Sequence, residues 1–168
     1  FSSSEVYGDF DGVMREDVMD KFEVKQLNDY ALSKWVNEMQ VLNSAAQFGT
    51  DSVRVRLFNT YGPGEYYSPY RSVICLFCYR LLHGMPITVY RGYKRTSTYI
   101  TDMARTLANI TGKFRRGEVY NIGGEDFHTV EEAAAIILRL TGNQSKSRKL
   151  VRYKAAEPMT TRQKKVDC

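Results

Sequence analysis

Helices and strands that alternate along the chain predict an α/β fold with a largely parallel sheet. Three observations carry this. A long amphipathic helical pattern at residues 28–48 precedes an alternating strand pattern at 53–58. That strand breaks at a Gly- and Pro-rich turn, and a later strand at 118–122 runs into Gly123-Gly124. A capping-box signature, Thr129 with Glu132, then opens another helix.

Taken in order, residues 1–8 read as the end of a buried strand running into a loop, and 9–27 as a polar surface connection. The helix over 28–48 has Asn28 or Asp29 as its cap. Its apolar positions recur at Leu32, Trp35, Val36, Met39, Leu42 and Ala46, and Gly49 stops it. The strand Val-Arg-Val-Arg-Leu-Phe ends at Asn59-Thr60-Tyr61-Gly62-Pro63-Gly64, a strong turn signal. A helix is expected over 70–83, followed by a short strand at 87–90, a basic loop, and a short strand at 97–100. Thr101 or Asp102 is expected to cap a helix reaching about residue 111. The helix after Thr129 spans 130–140, and the tail from 149 reads as one short strand and then extended chain. Only two or three long strands are visible. An open parallel sheet of that size leaves faces and edges uncovered, so a further part is expected.

Composition narrows the function classes. The 168 residues are 43% hydrophobic and 26% charged, ordinary for a globular protein. No apolar run approaches the roughly 20 residues that cross a bilayer, and no signal-peptide pattern opens the chain, so a cytoplasmic protein without membrane attachment is expected. The formal net charge of +5 suits an anionic partner. The basic residues are scattered and not interleaved with aromatics, which argues against nucleic acid and leaves a small phosphate-bearing ligand or a solvated basic surface. Cys75 and Cys78 have half-site spacing, with His83 following. Zinc needs four ligands and no second pair is near, so no metal is expected and the cysteines read as small hydrophobes in a helix.

The chemistry begins with Tyr30-Ala31-Leu32-Ser33-Lys34. On a helix, positions four apart share a face, so the phenol and the ammonium sit side by side. An adjacent ammonium favours a phenolate. Such a base can take a hydroxyl proton while a hydride leaves the same carbon. The spacing alone is weak, since Tyr90 and Lys94 repeat it in what reads as strand and loop. The plainer reading is an aromatic at the mouth of an amphipathic helix beside a solvated lysine.

Order along the chain adds to it. The stretch 1–8, Tyr30 to Lys34, and Arg56-Leu57-Phe58-Asn59-Thr60-Tyr61-Gly62-Pro63-Gly64 follow one another. Arg95 seven residues before Asp102, then Tyr120-Asn121-Ile122-Gly123-Gly124, and finally Arg162 complete the series. On these residues the chain resembles the extended short-chain dehydrogenase/reductase family, specifically its nucleotide-sugar epimerases, dehydratases and decarboxylases. The resemblance covers nearly the whole chain. It implies the C-terminal part of a Rossmann-like, doubly wound parallel sheet plus a small α/β substrate-binding subdomain. Residues 1–64 would belong to the cofactor domain with its catalytic helix, and 65–168 mostly to the sugar-binding part, with some segments returning to the sheet.

The resemblance also implies roles by position. Tyr30 and Lys34 match the catalytic pair, with Lys34 also holding the nicotinamide ribose of NAD, preferred here over NADP. Ser3 matches the hydroxyl that bonds the sugar oxygen being oxidised. Glu5 matches the dehydratase residue that removes the C5 proton. Asn59 resembles the diphosphate holder, and Arg95 and Arg162 the arginine pair that clamps the nucleotide, a job suited to bidentate guanidinium donors. Residues 86–90, Val89 among them, would line the base pocket. Ser4 stands where glucose 4,6-dehydratases usually carry an aspartate, although mannose-type dehydratases resemble this Ser-Glu pair. Ser97 replaces a frequent aromatic. No Gly-x-x-Gly-x-x-Gly phosphate loop occurs in the sequence. Each residue has a plainer reading as well: Ser2–Ser4 and Asn59 as turn formers, Glu5, Arg95 and Arg162 as surface charges.

The resulting expectation is part of an NAD-dependent enzyme that oxidises an NDP-hexose at C4, of dehydratase or decarboxylase type. A 4-epimerase and a non-catalytic nucleotide-sugar-binding fragment are the alternatives. The apolar stripe of the 28–48 helix suits either core packing or a homodimer interface in the full enzyme.

Overall fold

The computed structural model describes residues 1–167; Cys168, the end of the expected extended tail, lies outside the described residues. The chain opens with β1 (Ser2–Ser3), a single 3-10 turn at Ser4–Tyr7, β2 (Val13–Met14) and the one-turn α1 (Val18–Lys21). Then come α2 (Asp29–Phe48), β3 (Arg54–Leu57), β4 (Thr60–Tyr61), α3 (Val73–Leu82) and β5 (Ile87–Tyr90). β6 (Lys94–Thr96), β7 (Thr98–Tyr99), α4 (Ile100–Gly112), β8 (Val119–Ile122) and β9 (Phe127–Thr129) follow. The last elements are α5 (Val130–Leu140), a short α6 (Ser147–Leu150), β10 (Val151–Lys154) and β11 (Gln163–Val166).

Local chemistry explains the long helices. The Asn28 side chain accepts from the Ala31 amide at 2.8 Å, and Gly49 ends α2 in the left-handed conformation at φ 66°. α5 starts on the expected capping box, with Thr129 Oγ1 accepting from Glu132 N and Glu132 accepting from Thr129 N. α3 begins three residues later than expected, at Val73. Ser72 caps it, and the Glu65 carboxylate holds the Ser72 amide and hydroxyl, which fixes the preceding residues outside the helix.

β1, β3 and β8 form one parallel sheet in that order, with Ser3 opposite Leu57 and Leu57 opposite Ile122. Their carboxyl ends therefore share one edge, where ligands bind in open α/β sheets. A mixed sheet of order β2-β11-β6-β9 lies beyond that edge, and the pairs β10-β5 and β4-β7 complete the architecture. Two buried clusters support these layers. Val6, Tyr7, Met14, Val18, Phe58 and Val166 pack under the first turn. Phe77, Leu81, Ile87, Val89, Val130 and Ile137 join α3, β5 and α5. Each such side chain contributes about 1.5–3 kcal/mol by leaving water.

Several expectations are corrected. Residues after Ser3 form a 3-10 turn, not a loop. The basic loop holds β6, the polar connection 9–27 holds β2 and α1, and the tail carries a second strand, β11. Ile100 is already helical, so Thr101 and Asp102 sit in the first turn of α4 and do not cap it. Of the two destinations open to the apolar stripe of α2, core or interface, it takes mostly an outward one, with Leu32, Val36 and Leu42 exposed; the buried positions are Ala31 and Glu38. No helix among the described residues is long and apolar enough to cross a membrane.

Candidate active site

The three serines that follow Phe1 have separate tasks. Ser2 Oγ donates to the Glu38 carboxylate at 2.5 Å and ties the end of β1 to α2. Ser3 caps the 3-10 turn by accepting from the Glu5 amide at 3.2 Å, while Ser4 is buried. The turn then brings Glu5 onto Lys164 of β11, with which it forms an ion pair.

Helix α2, which carries Tyr30 and Lys34, packs against this turn. Tyr30 is 55% exposed, so its phenol is open to a ligand. The Lys34 ammonium lies 5.8 Å from the Tyr30 ring centroid and donates to the Phe1 carbonyl at 3.3 Å. The four-residue spacing on a helix produces this proximity.

Asn59 leaves β3 at the shared carboxyl edge with φ 36°, a left-handed conformation that asparagine tolerates better than most residues. Its Nδ2 donates to the Thr96 carbonyl at 2.8 Å and joins the turn to β6. Beside it opens a cavity of about 320 Å³ lined by Thr60, Gly62, Glu65 and Arg71 among others.

Arg95 and Arg162 do meet, though through the Arg162 backbone: Arg95 Nη1 donates to the Arg162 carbonyl at 3.0 Å and to the Lys94 carbonyl at 2.9 Å. Arg95 is buried and also faces Glu157 at 3.8 Å, whereas the Arg162 side chain is exposed. Burial lowers the Arg95 pKa below its ordinary value, against the opposing charges of Glu157 and Glu5. Burial also pushes the Glu157 carboxyl up, against Arg95 and Lys164. Val89 stands apart from the other candidates. Its side chain is fully enclosed in the cluster between β5 and α5 and presents no surface to a ligand. Ser97, in place of an aromatic, has its hydroxyl 2.9 Å from His128 Nε2.

Sequence reasoning missed a buried network beneath the site. Arg56 Nε and Nη2 grip the two oxygens of Glu38 at 2.9 and 2.8 Å. Its Nη1 donates to Tyr7 Oη at 3.0 Å and to the Glu16 carbonyl at 2.9 Å. Tyr7 in turn donates to Asn121 of β8 at 2.7 Å. Burial alone would raise the Glu38 carboxyl, yet the Arg56 guanidinium, with help from Ser2 and Arg54, holds it below its usual range. The available signal was Glu38 seven residues after Ala31, hence on the same helix face. Lys164 was missed too. Its signal was an inward position two residues before Val166 in an alternating strand.

This is an α/β chain of Rossmann type, and the comparisons agree. The NAD dependent epimerase/dehydratase family matches residues 1–123. The UDP-N-acetyl-alpha-D-glucosaminuronate decarboxylase of Bacillus cytotoxicus is 36% identical over 119 residues, covering 70% of this chain and 37% of that protein. The dTDP-glucose 4,6-dehydratase of an Actinoplanes species is 34% identical over 144 residues, covering 84% and 43%. Among solved structures, a Streptomyces venezuelae dTDP-glucose 4,6-dehydratase with NAD bound superposes with a TM-score of 0.83 at 28% identity, over 99% of this chain and 49% of that one. The chain belongs to the NAD-dependent epimerase/dehydratase family. It spans less than half the length of the curated relatives named here.

Proposed function

We propose that this chain is the C-terminal portion of an NAD-dependent enzyme that oxidises an NDP-hexose at C4, of dehydratase or decarboxylase type. The observation that carries this reading is the exposed Tyr30 phenol beside Lys34, on a helix packed against the Ser3–Glu5 turn at the sheet's carboxyl edge. The names of the relatives, which act on dTDP- and UDP-sugars, support the substrate class. Residues 1–64 carry the catalytic helix in this reading, and 65–168 mostly the sugar-binding part, with β8 returning to the sheet.

An ammonium beside an accessible phenol is a donor set that fits the ribose hydroxyls of NAD, so Lys34 and Tyr30 would hold that end of the cofactor. NAD, when bound, supplies the hydride acceptor. The chain's residues do the rest. Ser3 bonds the C4 hydroxyl, Tyr30 takes its proton, and Lys34 keeps positive charge next to the phenolate. The resulting 4-keto group acidifies C5–H, and Glu5 moves that proton. Asn59, Arg95 and Arg162 face the diphosphate and ribose, with Ser4 packed beneath the turn and Val89 supporting the base pocket from inside. The exposed face of Leu32, Val36 and Leu42 on α2 supports a homodimer in the full enzyme.

The test is incubation with NAD and a panel of dTDP-, UDP- and GDP-hexoses, with absorbance at the reduced-nicotinamide band and product analysis by NMR. A 4-keto-6-deoxy or decarboxylated product supports the reading, and an inverted C4 centre assigns the 4-epimerase alternative. Binding of nucleotide sugar without any conversion reduces the chain to a binding fragment.

A further inference from the structure

Four ionisable side chains from separate segments converge behind the first turn: Glu5, Arg95 of β6, Glu157 of the loop before β11, and Lys164 of β11. Lys164 is paired in register with Arg95, so the two cations lie on neighbouring strands. The Lys164 side chain is 3% exposed and the Glu5 side chain 25%. A lysine is almost never this buried unless it is paired. Burial lowers the Lys164 pKa, Glu5 and Glu157 oppose that effect, and Arg95 adds to it.

As packing alone this arrangement is a poor choice. Val166, the next inward residue of the same strand, fills its place with an apolar side chain. Replacing a buried ion pair by packed hydrophobic groups is often neutral or stabilising. The retained ammonium therefore points to a task at its partner. Its contact is with Glu5 Oε1, and among the described residues Oε2 has no hydrogen-bond partner.

We infer that Lys164 is a positioning residue for Glu5, fixing one carboxylate oxygen so that the other is left to take the sugar proton. The inference rests on the reading of Glu5 as the C5 base. In that step the C5–H bond breaks and an O–H bond forms on Glu5 Oε2. The C–H electron pair moves into the C4 carbonyl and leaves an enolate whose charge rests on the C4 oxygen. Before transfer the ammonium and the carboxylate are held together by opposite charge. After transfer Lys164 has lost its counter-charge, which drives the proton back to carbon. A base that must return what it takes needs both effects. Arg95 and Glu157 are the remaining charged groups facing Lys164, and they offset each other.

The experiment follows C5 hydrogen exchange into deuterated solvent, using a nucleoside diphosphate 4-keto-6-deoxyhexose as probe. The probe already carries the keto group, so no sugar oxidation is needed. Glu5→Gln is expected to abolish exchange. Lys164→Met should slow it about tenfold or more, about 1.4 kcal/mol of barrier, with affinity for the nucleotide sugar unchanged, and Lys164→Arg should restore most of the rate. Exchange in Lys164→Met as fast as in the unsubstituted chain overturns the inference and leaves the base role of Glu5 standing. No exchange in the unsubstituted chain removes the base role, and the positioning role falls with it. A nitrogen-15 NMR titration of the Lys164 amine checks the pairing without any sugar. In Glu5→Gln its midpoint should fall further, and an unmoved midpoint also overturns the inference.

Discussion

The Glu38 carboxylate and the Arg56 guanidinium form a two-pronged ion pair between α2 and β3, with both residues sealed from solvent at 2% and 1% exposure. Ser2, Tyr7 and the Glu16 carbonyl satisfy the remaining polar atoms around it. The helix that carries Tyr30 is thus bolted to the sheet that carries Ser3 and Asn59. Removing one partner leaves an uncompensated buried charge. Arg56→Ala and Glu38→Ala are each expected to lose about 3–5 kcal/mol in urea unfolding. The double change to Leu and Met should lose less than either single one, because no lone charge remains.

The same pair sets a pH dependence. The Glu38 carboxyl is held below its ordinary range in the folded chain, so the unfolded chain binds that proton first as pH falls. Its stabilisation is complete above the unfolded value of about 4.3 and disappears as pH falls through the lower folded value. Unfolding free energies measured at a series of pH values should fall below about pH 4.3, and Glu38→Gln should flatten that part of the curve. An unchanged acid limb would mean that another carboxylate carries it.

How much of this was legible depends on the range of the interaction. The Thr129–Glu132 capping box and the Asn28 cap are set by residues three apart, and both formed where the sequence placed them. Thr129→Ala should therefore cost about 1 kcal/mol of stability, measurable by thermal or urea unfolding. β11 was unreadable because Gln163, Lys164 and Lys165 look like solvated tail; only pairing with β6 and β2 makes a strand of them. The destination of the α2 stripe stayed open for a related reason. Apolar periodicity reports a face, not its destination, and the buried face is held by Glu38, which finds Arg56 across 18 positions. The Tyr30–Lys34 pair was legible from spacing, whereas the ion pair between Glu5 and Lys164 joins residues 159 positions apart.

Tyr30 and Arg162 separate chemistry from recognition. Tyr30→Phe removes the proton acceptor and keeps the ring, so sugar oxidation should fall about 100- to 10,000-fold with nucleotide-sugar affinity nearly unchanged by calorimetry. Arg162→Ala removes an exposed guanidinium beside the Arg95 anchor. It should weaken nucleotide-sugar binding and leave the rate at saturation close to its starting value. Full oxidation by Tyr30→Phe would remove the phenol from the mechanism.

Gly8 closes the turn that positions Glu5, and its backbone explains the residue type. Its φ of 49° and ψ of −121° lie where a side chain is strained, and its amide donates to the Glu5 carbonyl at 2.9 Å. A Cβ there would collide with the Lys25 carbonyl oxygen, the group that accepts from the Asp9 amide. Gly142 shares a positive φ, 67°, but a methyl added to its α-carbon would meet nothing within 4 Å. Gly142→Ala should therefore lose only backbone strain, about 1 kcal/mol. Gly8→Ala adds displacement of residues 24–25, which lead directly to the Asn28 cap and so to Tyr30. Its loss should exceed that of Gly142→Ala by about 1–3 kcal/mol and should lower activity as well. Equal losses in urea unfolding would show that the Lys25 carbonyl yields, and that the turn does not depend on this approach.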